Sequence, residues 1–431
     1  MNQNIATVRK NAGSFVFKVF SVYVIFHVLF ISDYSPLLQL NFSPGAIGGT
    51  IGVKLVGWVN DLFIHKNFQG FIPTADSYWA YVATFIFFIL AILTTLLWLA
   101  IDKSKSFPAF YEFTYIIARY FVAFELLGYG IAKLDGSQFY ISPERLLPSV
   151  GADDSFNLFW ITMGASKSYA FFGGLLETAA GILLLFRRTT TLGCLIAIPV
   201  LLNVVMTDIS WDIPIKLKAF HMLVFSVFIL TPDINRLYQF LVLKQNTSLN
   251  PSYPRLFNYK KFYRLQYVLK FLIIGYILYS NIKWDVDYYA QMHYSPYQKL
   301  IGIFNVKQFH TIKNPGIIND IDSLKWKKIA VSHMNGIQVL LMNDSIAGFF
   351  YTVDTKTSTI EMTAFNDKPL GSAVGMDSTN KAKLHYVESK TGDWQFEGIY
   401  HSDSIHFSAT KIDINTLPLL KDKGKIKWTY D

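Results

Sequence analysis

The sequence predicts an α-helical polytopic membrane bundle of about seven spans, followed by an all-β antiparallel barrel or sandwich. Composition is the first reason: 52% of the 431 residues are hydrophobic and 16% are charged, with a mean hydropathy of +0.30. A soluble protein carries about 25% charged residues. The second reason is that apolar runs of spanning length end before about residue 290. These features exclude a disordered chain, a coiled coil and an ordinary cytosolic enzyme.

The predicted spans are apolar stretches that approach the length needed to cross about 30 Å of hydrocarbon. Seven segments qualify: Ser14–Ser32, Tyr78–Ile101, Glu112–Leu134, Tyr169–Phe186, Leu192–Met206, Ile215–Thr231 and Leu265–Ile282. They divide the chain into a two-span region with an outer loop (1–110), a four-helix unit (111–240), a linker with the final span (241–290) and a β-domain (291–431).

Basic residues predict the orientation, because they resist translocation across the membrane. They concentrate in the segments that would be cytoplasmic, at Arg9, Lys10, Lys103, Lys105, Arg187, Arg188, Arg236, Lys244, Arg255, Lys260, Lys261 and Arg264. We therefore expect a multi-pass protein of the cytoplasmic (inner) membrane, with a cytoplasmic N-terminus and a periplasmic β-domain. Much of the net charge of +9 is this topology signal, so it gives no evidence for nucleic-acid binding.

Short strands are predicted in the C-terminal region, because apolar and polar residues alternate there in segments that tight turns separate. Nine segments show this pattern: Leu300–Phe309, Lys325–Ser332, Ile337–Leu341, Gly348–Val353, Thr359–Thr363, Ala382–Tyr386, Trp394–Ile399, Ser404–Ala409 and Lys425–Tyr430. The histidines of this region form no convincing metal-ligand set, and no metal site is predicted anywhere in the chain.

Charged residues inside the spans are the candidates for function, because an ionisable group in the bilayer is costly unless it is paired or used. Glu125, Tyr129 and Lys133 form one helical stripe at i, i+4 and i+8. Glu177 lies between glycines that allow close helix contact. A desolvated lysine can act as a base toward a lipid-soluble quinol, whereas a Lys133–Glu177 or Arg119–Glu112 ion pair would only stabilise the bundle. Both interpretations remain open.

Two stretches within residues 111–240 resemble the DoxX family and the membrane domain of vitamin K-dependent gamma-carboxylase-like (HTTM) proteins. They are Gly128–Asp135 (GYGIAKLD) and Gly173–Leu185 (GGLLETAAGILLL). The resemblance implies a quinone or quinol as cofactor, with Lys133 as the catalytic base and Glu177 at the DoxX acidic position. Residues predicted to contact the cofactor are Arg119, Glu125, Tyr129, Asn203 and His221.

The β-domain is similar to the small lipocalin-like domain that follows DoxX-type membrane regions in some bacterial proteins. The similarity lies in Leu300–Val306 (LIGIFNV), Leu324–Trp326 (LKW) and Ile426–Trp428 (IKW). Two functions are therefore expected. One is a redox-associated membrane protein that binds a quinone, resembling a quinone-linked oxidoreductase. The other is a non-enzymatic scaffold whose outer domain binds a membrane or periplasmic protein or an apolar ligand.

Overall fold

The structure, a computed structural model, describes residues 15–31, 54–65, 76–101, 108–247, helical positions between 268 and 290, and residues 294–313, 317–318, 325–333, 336–365, 376–390, 392–400 and 403–421. The chain divides into two compact units. The first contains Met1–Asp135 and Phe171–Trp284, and the second contains Gly136–Ala170 and Asp285–Asp431. The second unit thus combines residues 136–170 with the region that the sequence predicts as a separate β-domain.

Long apolar helices form the first unit. Their bounds are α1 Phe15–Phe26, α2 Tyr78–Ile101, α3 Pro108–Leu134, α5 Lys167–Leu185, α6 Thr190–Ser210 and α7 Lys216–Leu241. The shorter α4 Ser155–Ala165 precedes α5 and belongs to the second unit. Five of these helices, namely α2, α3, α5, α6 and α7, are long and apolar enough to cross a membrane. A short helix at 54–59 continues as a π-helical turn at Asn60–Ile64.

Five spans are therefore supported, and the predicted total of seven is not confirmed. The first predicted span corresponds to a shorter apolar helix, Phe15–Phe30. The last, Leu265–Ile282, falls largely outside the described residues, although the described positions within it are helical. The long central helix α3 is the most buried of the five spans and α2 is the least. The charged stripe on α3 therefore lies in the interior of the bundle.

The second unit contains a closed antiparallel barrel of eight strands in meander order. Its strands are β1 Gly302–Lys313, β3 Trp326–Val331, β4 Gly336–Leu341, β5 Ile346–Asp354, β6 Thr359–Phe365, β7 Met376–Glu388, β8 Asp393–Tyr400 and β9 Asp403–Ile412. Pairing of β1 with β9, from Ile303↔Ile412 to Ile312↔Ser404, closes the barrel. A two-residue strand, β2 Ile317–Ile318, adds to the end of β1. The ninth predicted strand, Lys425–Tyr430, lies outside the described residues.

Aromatic side chains fill the barrel interior. Phe396 and Phe407 stack with their ring centroids 4.8 Å apart, and Trp326 lies 5.2 Å from Phe407. Phe304 contacts Trp394 edge-on at 5.6 Å. An eight-stranded barrel has an interior that side chains can just fill. These rings therefore act as the hydrophobic core of the second unit.

The segment 136–170 packs on the barrel and belongs to the same unit. Leu147 shares a buried cluster with Ile303, Ala330 and Leu340 of the barrel. A second cluster joins Ile141 and Ile161 of the segment to Leu420. The segment also has its own polar core, in which Asn157 receives a hydrogen bond from Arg145 at 2.7 Å and donates to Asp153 at 2.8 Å.

The buried carboxyl group of Glu144 should make the second unit less stable as the pH rises. Burial raises the pKa of Glu144 above its ordinary value of 4.5, and its Oε2 atom accepts no hydrogen bond from the described residues. The folded state therefore binds the proton more tightly than the unfolded state. The stability gained from this proton binding is complete at pH values below the pKa of Glu144 in the unfolded chain. It is lost as the pH rises through the pKa of Glu144 in the folded protein.

We expect Glu144→Gln to raise the unfolding temperature of the full-length protein at pH 7 and to change it little at pH 4. The matched control is Glu361→Gln on the barrel surface, where the hydrogen bond from Lys383 at 2.9 Å lowers the pKa of Glu361. That substitution should act in the opposite direction, with any loss of stability at pH 7 rather than at pH 4. Equal effects of Glu144→Gln at both pH values would contradict the prediction.

Candidate functional site

An ion pair between Lys133 and Glu177 forms the first part of the candidate site. Lys133 is in the last turn of α3, and Glu177 is in the middle of α5. The Lys133 ammonium donates to both carboxylate oxygens, at 2.7 Å to Oε1 and 2.6 Å to Oε2. The side chains are only 11% and 4% exposed. The structure thus brings together the two residues that the resemblance implies are catalytic, in the contact that the structural interpretation also predicts.

Glycines allow this contact by letting the backbones of α3 and α5 approach closely. A Cβ atom added to Gly130 would lie 2.4 Å from Thr178 Oγ1, and one added to Gly174 would lie 2.8 Å from the Gly130 carbonyl oxygen. Contacts under 3.0 Å do not occur between real atoms of this kind. The crossing of α3 and α5 therefore requires glycine at both positions, as expected for small residues at membrane helix contacts.

A second buried ion pair joins α3 to α7. Lys218 Nζ lies 3.0 Å from Glu125 Oε2, and the Glu125 side chain is completely buried. The backbone N–H groups of Lys216 and Leu217 donate to the Asp76 carboxylate at 2.8 and 2.9 Å. An acidic side chain in this position satisfies free N–H groups at the start of a helix. Asp76 therefore fixes the end of α7 that carries Lys218.

Tyr129 lies between the two ion pairs. Its ring centroid is 5.8 Å from Lys133 Nζ and 5.4 Å from Lys218 Nζ. Ammonium groups within about 6 Å of an aromatic ring are attracted by its electron density. The predicted stripe of Glu125, Tyr129 and Lys133 therefore connects two cations and two carboxylates within one continuous polar region.

Histidines and a tyrosine lie close to this region, on α7 and α1. His221 Nε2 is 2.6 Å from the Tyr23 hydroxyl, and His221 Nδ1 is 2.7 Å from the Leu217 carbonyl oxygen. The His27 ring stacks on His221 at a centroid distance of 4.1 Å. His27 and His221 are both buried. His221, which the sequence predicts as a cofactor contact, thus has the Tyr23 hydroxyl and the Leu217 carbonyl oxygen as its hydrogen-bond partners.

Arg119 and Asn203 lie elsewhere in the bundle. Arg119 donates to Thr190 Oγ1 at 3.3 Å and is about 21 Å from Lys133 along α3, at about 1.5 Å per residue. Glu112 pairs with Arg187 at 3.6 Å, instead of forming the Arg119–Glu112 pair that the sequence suggests. Asn203 is exposed on the surface of α6. The structure brings neither Arg119 nor Asn203 to the Lys133–Glu177 pair.

Asp208 adds a buried carboxylate to the same end of the bundle. It is 2% exposed, and its Oδ2 atom has no hydrogen-bond partner among the described residues. The charges of Asp76, Lys133, Lys216 and Glu177 act on it. Among the described residues, no group of three or more histidine, cysteine or acidic side chains could hold a metal ion.

Comparison with known proteins finds a relative of part of the chain. No family model and no solved structure matches the chain. A stretch of 130 residues, 30% of this chain, is 32% identical to "Uncharacterized protein YwoB" of Bacillus subtilis (strain 168) and covers 78% of that protein. The chain therefore belongs to the YwoB family. YwoB is described as uncharacterized, so this family membership does not indicate what the site does.

The chemistry available to the site follows from its donors and acceptors. Two ammonium groups donate hydrogen bonds, two carboxylates accept them, and the ring of Tyr129 offers an aromatic face. In the apolar interior of the bundle, such groups recognise a polar aromatic headgroup more strongly than they would in water. The site thus combines hydrogen-bond donors and acceptors with an aromatic face.

Three residues of the site are absent from the sequence-based prediction. Lys218, which pairs with Glu125, is one of them. His27 and Tyr23 did not enter the prediction at all. A signal was available for His27, since it is an ionisable side chain in the predicted first span.

Proposed function

We propose that this protein is a redox-associated membrane protein whose helical bundle binds a lipid-soluble quinone or quinol, as in DoxX-type and HTTM-type proteins. The proposal is supported by two buried ion pairs that lie on either side of Tyr129, namely Lys133–Glu177 and Lys218–Glu125. Placing four charges in the bundle is costly, and intramembrane charges of this kind commonly mark ligand or proton sites.

Each residue has a distinct task in this proposal. Lys133 donates a hydrogen bond to a quinone oxygen, while Glu177 accepts one from a quinol hydroxyl. Tyr129 and the Lys218 ammonium border the headgroup ring. The Lys133 Nζ atom already donates hydrogen bonds to both carboxylate oxygens of Glu177, at 2.7 and 2.6 Å. Lys133 therefore acts as a hydrogen-bond donor more readily than as the base that the family resemblance implies.

The test of the proposal is quinone binding by the full-length protein in lipid nanodiscs, measured with a short-tailed benzoquinone. We expect the double variant Lys133→Met/Glu177→Leu, which leaves no unpaired charge, to bind the quinone at least about tenfold more weakly, because a charge-assisted hydrogen bond contributes about 1.5–3 kcal/mol. Lys299→Met, on the exposed barrel surface, is the control and should bind as the wild type does. Equal affinity of the double variant and the wild type would reject the proposal.

The second candidate is a non-enzymatic scaffold that presents the outer domain to a membrane or periplasmic partner protein. The pairing of Lys133 with Glu177 and of Lys218 with Glu125 favours it, because paired charges can serve only to hold helices together. The aromatic core of the barrel favours binding through its outer surface over binding of an apolar ligand inside. Under this candidate, the wild-type protein would bind no quinone.

The orientation in the proposal is a cytoplasmic N-terminus and a periplasmic barrel in the cytoplasmic membrane. Its support is the charge distribution, with Arg187 and Arg188 between α5 and α6 on the side opposite to residues 136–166. A thiol reagent that cannot cross the membrane should label Ser149→Cys in intact spheroplasts. Labelling only after lysis would reverse the orientation. Cys194, which is buried, is the internal control.

A further inference from the structure

His27 lies where α1 changes its helical geometry. The helix is α-helical through Phe26 and π-helical from His27 to Ile31. Single π-helical turns inside α-helices occur frequently at functional sites. His27 is 4% exposed, and its Nδ1 atom has no hydrogen-bond partner among the described residues. A buried ring nitrogen without a partner is costly, and it is the kind of atom that a ligand satisfies.

His221 cannot play the same part, because its neighbours use both of its ring nitrogens. The Leu217 carbonyl oxygen can only accept, so His221 Nδ1 carries the proton and donates to it at 2.7 Å. Nε2 of His221 then accepts the hydrogen bond from the Tyr23 hydroxyl at 2.6 Å. Tyr23 and Leu217 thereby fix the plane of the His221 ring, on which His27 stacks at an interplanar angle of 16°.

The other groups of the site are less suited to accept a proton. Glu177 and Glu125 are engaged with Lys133 and Lys218. Both lysines, as ammonium groups, can only donate. The groups around His27 are Phe121 and Phe225, which pack edge-on at 5.8 and 5.4 Å, together with His221 and the charge of Lys218. A neutral imidazole has one ring nitrogen that can accept a proton, and Nδ1 of His27 has no partner among the described residues.

We propose that His27 is the proton-accepting residue for a quinol bound beside Tyr129 and Lys218. The quinol O–H bond breaks, an N–H bond forms at His27 Nδ1, and the products are a quinolate anion and an imidazolium cation. The O–H bonding pair stays on the quinol oxygen and the lone pair of Nδ1 forms the new N–H bond, so nothing is oxidised or reduced. Lys218 and Lys133 stabilise the anion by their charge. His221 and Tyr23 are positioning residues that hold the His27 ring. This inference rests on the proposed binding of quinones.

The experiment compares wild type with His27→Gln in nanodiscs, using a short-tailed benzoquinol and the matching benzoquinone. Glutamine retains hydrogen-bonding capacity but cannot take up a proton at neutral pH. Quinolate is detected by its ultraviolet absorbance, and quinone affinity is measured separately. We expect His27→Gln to form quinolate at least about tenfold more slowly, since a positioned base contributes about 10²–10⁴-fold to the rate of a proton transfer. Its quinone affinity should stay within about twofold of wild type. His385→Gln, an exposed barrel histidine, should behave as wild type.

The two proposals can fail separately. If the wild type binds neither quinone nor quinol, the proposed function and this inference both fall. If the wild type binds both ligands and His27→Gln forms quinolate normally, only the role of His27 is rejected. Nitrogen NMR of histidine-labelled wild-type protein gives a second test that depends on no variant. Addition of quinol should convert one buried neutral imidazole to imidazolium, and an unchanged histidine spectrum would overturn the inference.

Discussion

Lys133→Met and Glu177→Leu, made singly, are each expected to lower the free energy of unfolding by about 3–5 kcal/mol. Each substitution leaves the remaining charge buried in the bundle, where the side chains of the pair are only 11% and 4% exposed. The double variant removes both charges and replaces them with apolar side chains. We expect it to be close to the wild type in stability, because replacing a whole buried pair is often neutral or stabilising.

The measurement is a double-mutant cycle on the full-length protein, with unfolding followed in detergent or nanodiscs. The matched control is the Lys383–Glu361 pair on the barrel, which has a similar contact distance of 2.9 Å but is 65% and 63% exposed. Single substitutions there should change stability very little, because exposed ion pairs contribute little. Small effects of both single substitutions at Lys133 and Glu177 would show that water reaches this pair.

Gly174→Ala is expected to destabilise the bundle by about 1–3 kcal/mol, the usual cost of overpacking. The added methyl group would lie 2.8 Å from the Gly130 carbonyl oxygen and 2.8 Å from Lys133 Cβ. Helix α5 must then move away from α3, which lengthens the contact between Lys133 and Glu177. The substitution should therefore weaken quinone binding as well as lower the unfolding temperature.

The adjacent glycine provides the control for this prediction. A Cβ atom on Gly173 would meet only Lys133 Cδ at 3.8 Å, an ordinary van der Waals distance. Gly173→Ala should therefore leave the protein unchanged or stabilise it, since alanine is favoured over glycine within helices by about 1 kcal/mol. Thermal unfolding of both variants distinguishes them. Equal effects would mean that the α3–α5 crossing does not depend on close backbone contact.

The sequence predicts elements that carry their own periodic signal. The alternating segments of the β-domain correspond to eight strands of the barrel, and five apolar runs correspond to candidate spans. Closure between β1 and β9 is a long-range pairing, so alternation alone left barrel and sandwich open. The packing of residues 136–170 on the barrel was equally hidden, because no local pattern relates segments so far apart in the chain.

The site was partly predictable for a similar reason. Lys133 and Glu177 stand out as charges in apolar runs, and the glycines near Glu177 indicate close helix contact. The rotation of each helix about its axis is harder to infer, because apolar residues cover both lipid-facing and buried surfaces of a membrane helix. Asn203 was therefore assigned to the site although it is exposed, and the partner of Lys218 was missed.

The association of residues 136–170 with the barrel determines whether the chain crosses the membrane an odd or an even number of times between α7 and the barrel. This segment leaves α3 and enters α5, and it belongs to the same compact unit as the barrel. If α3 and α5 span a bilayer, the segment and the barrel lie on the same side of it. If α5, α6 and α7 each cross once, Leu241 emerges on the other side. The chain must then cross an odd number of times before the barrel begins at Gly302. One crossing is the minimum, and Leu265–Ile282 is the apolar run in that interval.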